Sequence, residues 1–78
     1  MAKPSATATE RPKSVDTLIG ITEMALAYRY TERNPTLSDV ARTVAIASRL
    51  LRYSNLDEKI EVENAAVLGL VKKRGLVG

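Results

Sequence analysis

Thr36 stands three residues before Asp39, and the run that follows repeats its apolar residues with the period of a helix. Thr-x-x-Asp is a capping-box start, with Asp in place of the usual Glu. The Thr hydroxyl accepts the backbone N–H of the third helical residue, and the acid reaches back to the N–H of the cap. Leu37, Val40, Ala41, Val44, Ala47 and Leu51 then recur at i, i+3, i+4 spacing. No Gly or Pro interrupts the stretch before Tyr53, so the pattern predicts one helix over 36–54. Ser54 and Asn55 read as a turn or the next cap.

The segments on either side read as helices too. Ser14 is a good N-cap, and Asp16 falls in the first turn, where the helix dipole favours an acid. A first helix is expected over 14–33, ended by Pro35, which biases the preceding residue away from helical angles. Gly20 weakens it by about 1 kcal/mol relative to Ala and marks an expected close helix crossing. The third segment predicts a helix over 57–74. Acids crowd its start, Lys72, Lys73 and Arg74 its end, and Gly75 suits a left-handed C-cap. Ile60, Val67, Leu68 and Val71 are expected to share its core face. Val62, Ala65, Ala66 and Gly69 lie opposite, where small residues permit close approach. A competing reading takes Lys59 to Glu63 (KIEVE) as a short strand, with Asn64 capping a shorter helix. That strand would have to pair with a second chain, because no other alternating run is present.

The fold class is therefore all-α, with a single three-helix domain over 14–78. Residues 1–13 carry no large apolar side chain beyond Met1 and have Lys3, Arg11 and Lys13 against Glu10. They cannot offset their ordering entropy by burial and are expected to be a flexible basic arm. The aromatic residues are Tyr28, Tyr30 and Tyr53, so the core is aliphatic. A domain of 78 residues is marginally stable alone, which favours oligomerisation. No apolar run approaches the roughly 20 residues of a membrane span. The first residues, MAKPSATATERPKS, lack the apolar centre of a signal peptide. The expected location is cytoplasmic, without membrane association.

Chemistry is narrowed by what is missing. There is no His and no Cys, which removes the commonest general base, the thiolate nucleophile and the main transition-metal ligands. Asp57, Glu58, Glu61 and Glu63 are the one carboxylate cluster, and acids are ordinary at a helix start. No Gly-rich phosphate loop or nucleophile motif is present. No catalytic residue, cofactor or metal is expected, and the function falls to binding.

Two binding readings follow. On a wheel of about 100° per residue, Ile46, Leu50 and Tyr53 form a second apolar stripe on the middle helix. Arg42, Arg49 and Arg52 run beside it. Tyr and Arg are enriched at interface hot spots. The first reading is a protein–protein interaction or self-assembly module, of the kind found among phage and viral assembly proteins, inhibitors and adaptors. Its contacts would come from Tyr28, Tyr30, Ile46, Leu50 and Tyr53, with Arg49 and Arg52 at the rim. The partner is a second copy of the chain, another protein, or both. The second reading is a small basic transcriptional regulator that holds nucleic acid through Lys3, Arg11, Lys13, Arg42, Arg49, Arg52, Lys72, Lys73 and Arg74. The net charge of +3 is compatible with either.

Residues 36–50, TLSDVARTVAIASRL, resemble the opening of a lactose-repressor-type helix-turn-helix in Thr36, Leu37, Asp39, Val40, Ala41 and Arg42, with Ser48 and Arg49 near the end of its recognition helix. The resemblance covers fewer than 15 residues. The motif needs a tight turn between two short helices, whereas Thr43 to Ala47 continue the helical pattern, so the family is not assigned.

Overall fold

A computed structural model describes residues 13–76. They form three helices, α1 (Lys13–Arg29), α2 (Leu37–Ala47) and α3 (Leu56–Arg74), with a 3-10 turn at Ser48–Leu50. Each helix packs against the other two, and no strand occurs among the described residues. Lys59 to Glu63 are helical, which excludes the strand reading. The arm expected over 1–13 lies outside the described residues except for Lys13. That residue is already helical, so Ser14 sits inside α1 rather than capping it.

α1 stops at Arg29, four residues before the expected end. Proline restricts only its immediate predecessor, so the earlier stop has a tertiary cause. Pro35 is buried, and the chain must unwind to carry it inward. Arg33, freed from the helix, donates from its guanidinium to Asp39 Oδ2 at 3.0 Å and lies 4.8 Å over the Tyr30 ring. The Asp39 carboxylate also accepts the Thr36 N–H at 3.0 Å, and Thr36 Oγ1 accepts the Asp39 N–H at 3.1 Å. The capping box is thus complete, with an arginine added to it.

α2 is shorter than predicted. It ends at Ala47, and Leu51 is extended, with φ −107° and ψ 160°. The cause is Ser48, fully buried, whose hydroxyl shares a hydrogen bond of 2.9 Å with the Tyr53 hydroxyl. A continuous helix would place Tyr53 on the outer face with Ile46. The turn at Ser48 lets it fold back onto the core instead. Asn55 then caps α3, its Oδ1 accepting the Glu58 N–H at 2.8 Å. Gly75 closes α3 in the left-handed region at φ 69°.

The core is aliphatic. α1 supplies Val15, Leu18 and Leu26, α2 supplies Val40, Val44 and Ala47, and α3 supplies Val62, Ala66 and Leu70. The last set corrects the expected core face of α3. Its small-residue side is inside; of the expected set Ile60 and Leu68 are 46% and 62% exposed, while Val67 packs against the core and Val71 is half-buried. α3 contacts both α1 and α2, and Ala66 allows its backbone to come close to them. Gly20 also departs from expectation. It is exposed, and a Cβ built there meets nothing within 4 Å, so it marks no helix crossing.

Candidate functional site

The α1–α2 packing leaves an apolar cleft of about 200 Å³. Ile21, Ala25 and Arg29 of α1 form one wall. Thr43, Ile46, Ala47 and Leu50 form the other. Ala25 and Ala47 leave the floor open because neither extends beyond Cβ. Thr43 contributes methyl surface, since its hydroxyl donates to the Asp39 carbonyl at 2.8 Å. Arg29 supplies charge at one end.

Two ridges stand beside the cleft. Leu50 is 73% exposed at the end of the 3-10 turn. Tyr28, 87% exposed, lies about 20° around α1 from Ile21, with Met24 one turn before it. Single exposed apolar residues are ordinary on a protein surface, but a contiguous patch marks a contact site. Ile46 and Leu50 expose apolar surface on the α2 side of the cleft, and Met24 and Tyr28 expose it on α1.

The predicted contact residues separate into three groups. Ile46 and Leu50 line the cleft, and Tyr28 is exposed on α1 next in sequence to its lining residue Arg29. Tyr30 is half-buried against the core beneath Arg33, and Tyr53 is half-buried and bonded to Ser48. Those two rings serve the fold. Arg49 and Arg52 are exposed, but only Arg49 lies next to the cleft residues in sequence and structure. Arg52 follows the break at Leu51 and is not on α2. Sequence periodicity does not single out Ile21, Met24 and Ala25 as contact residues. Their spacing with Tyr28 on α1 was the signal available.

The predicted basic contacts are dispersed. Arg42 is exposed on α2, Arg49 in the 3-10 turn, and Arg52 in the extended link. None of the three has an ion-pair partner among the described residues. Lys73 is engaged within the fold, its Nζ 3.1 Å from Glu23 on α1. Lys72 and Arg74 are exposed near the end of α3. Lys3 and Arg11 lie outside the described residues, and Lys13 opens α1.

Two acids of α3, Glu58 and Glu63, have local uses. Glu58 Oε1 accepts the Ser54 N–H at 2.6 Å, and Glu63 lies 3.5 Å from Lys59 one turn away. No group of three or more acidic, His or Cys side chains converges among the described residues. No helix among them is long and apolar enough to cross a membrane. Comparison with protein-family models, curated proteins and solved structures returns no match.

Proposed function

We propose that the protein is a non-enzymatic interaction module whose partner is further copies of itself. The observation that carries this reading is the apolar cleft between α1 and α2, flanked by the exposed Tyr28 and Leu50. Two copies turned about a two-fold axis place the ridge of each in the cleft of the other. Size supports the same reading, because a chain of 78 residues buries a smaller share of its unfolded surface than a larger domain does and gains from association. Arg29 and Arg49 suit a polar rim around an aliphatic centre.

The test is the mass of the full chain in solution by light scattering, with absorbance at 260 nm followed across the peak. An oligomer free of nucleic acid is expected at low and high salt. Ile46→Asp with Leu50→Asp should lower its mass. A monomer at high micromolar concentration overturns the reading.

A second reading, a nucleic-acid-binding regulator, is favoured by one observation: Arg42, Arg49 and Arg52 are exposed and without ion-pair partners among the described residues. Under that reading the chain carries nucleic acid at low salt and sheds it at high salt. Reversing the three arginines to Glu then abolishes the binding and leaves the mass unchanged.

A further inference from the structure

The outer face of α3 lies on the side of the bundle away from the α1–α2 cleft, because α3 packs its inner face against both other helices. With Val62, Ala66 and Leu70 inward, Asp57, Asn64 and Val71 fall at seven-residue spacing along the outward line. Ile60 and Val67 lie on one flank of that line. Glu61, Leu68 and Lys72 lie on the other. The exposed apolar side chains of this face are Ile60 and Leu68, with Val67 half-buried against the core at its edge, and the face carries acid at its start and base at its end. Asp57, Glu61 and Lys72 have no ion-pair partner among the described residues.

We propose that this face pairs with the same face of a second copy, antiparallel, about a two-fold axis at Asn64. The inference rests on the reading that the protein self-associates, and adds a second seam distinct from the cleft. In antiparallel helix pairs, like flanks meet. Ile60 of one copy then comes beside Val67 of the other, twice over, on the apolar flank. On the opposite flank Lys72 of one copy comes beside Asp57 of the other, and Leu68 beside the aliphatic stem of Glu61. The parallel arrangement does the reverse. It sets Asp57 against Asp57 and takes Lys72 away from any acid of the partner, so charge selects the direction. With two seams on opposite sides, each contact adds a copy without blocking the other, which is what growth beyond a dimer needs.

The chain has no Cys, so single-cysteine variants report contacts cleanly. Asn64 is exposed, and Asn64→Cys should oxidise to a covalent dimer, since the axis brings the two positions within disulfide reach. Asp57→Cys alone should not, because its two copies lie roughly 21 Å apart along the axis at 1.5 Å per residue. Asp57→Cys mixed with Lys72→Cys should form the cross-linked pair. Light scattering separates the seams: the Ile46→Asp, Leu50→Asp variant should remain a dimer, twice the 8.5 kDa of one chain. Adding Ile60→Asp and Leu68→Asp should give a monomer whose helical circular dichroism is retained. Self-cross-linking of Asp57→Cys as strong as that of Asn64→Cys overturns the antiparallel seam in favour of a parallel one. An oligomeric wild type whose cleft variant is monomeric, with no Asn64→Cys dimer, overturns the α3 seam and leaves self-association standing. A wild type monomeric at all concentrations overturns both.

Discussion

The Tyr53 hydroxyl lies 2.9 Å from the hydroxyl of Ser48, which is fully buried where α2 gives way to the 3-10 turn. Ser48 has this one side-chain partner, and the partner is half-buried. The two ends of the bond are therefore unequal. Tyr53→Phe strands a hydroxyl with no route to water, at a cost of about 1–3 kcal/mol. Ser48→Ala leaves the Tyr53 hydroxyl nearer the surface and should cost less. Urea denaturation of the two single variants and the double variant measures the pair, and the double should cost less than the sum of the singles. Additive effects would show that the bond contributes nothing.

Thr22 is the counterexample inside α1. It is fully buried, and its hydroxyl has no hydrogen-bond partner among the described residues. Thr43, equally enclosed, donates to the carbonyl four residues back. Thr22→Val keeps the shape and removes the orphaned polar atom. It should raise stability by about 1 kcal/mol, seen as a higher thermal midpoint. A lower midpoint would mean that the hydroxyl has a partner.

Gly20 is exposed in the middle of α1, with open space where a Cβ would sit. Gly20→Ala should stabilise the protein by about 0.5–1 kcal/mol through helix propensity and a less flexible unfolded chain. Ala66→Leu is the contrasting change. Ala66 is fully buried, and the larger side chain should cost about 1–3 kcal/mol by overpacking. Chemical denaturation of both variants tests the assigned faces of α1 and α3 together.

Asp39 makes the stability pH-dependent. The Thr36 N–H, and then the Arg33 guanidinium, hold its carboxyl well below the usual carboxylate range. A group whose folded pKa is depressed contributes fully above its unfolded value, near 4, and the contribution is lost as pH falls below that. The urea midpoint of the wild type should therefore drop between about pH 5 and pH 2 more steeply than that of Asp39→Asn. Parallel pH profiles would remove Asp39 from this role. Thr36→Ala, which takes away the other half of the box, should cost about 1 kcal/mol.

The helices themselves were legible because their determinants are local. Thr36 and Asp39 form the expected box, α3 runs through the KIEVE stretch, and Gly75 closes it in the left-handed region. Each depends on a few neighbouring residues and on backbone geometry, so composition and spacing decide it. The aliphatic core and the three-helix architecture follow from the same information.

What the helices do with their faces was decided by the tertiary structure. α3 offers two sides that could be buried, and periodicity ranks the bulkier one, Ile60 with Leu68, first. Packing reverses the order, because a helix in contact with two others is limited by how near its backbone can come, and Ala66 permits what Ile60 would not. The end of α2 is settled the same way. Nothing within Leu37 to Leu51 requires a break at Ser48, but a buried hydroxyl needs a partner, and Tyr53 reaches it only if the helix unwinds. Tyr30 is likewise drawn to Arg33 and the core, leaving Tyr28 outside with Ile46 and Leu50. The sequence alone determined which stretches are helical. Which side chains remain on the surface to meet a partner was fixed by competition for the interior, which depends on all three helices at once.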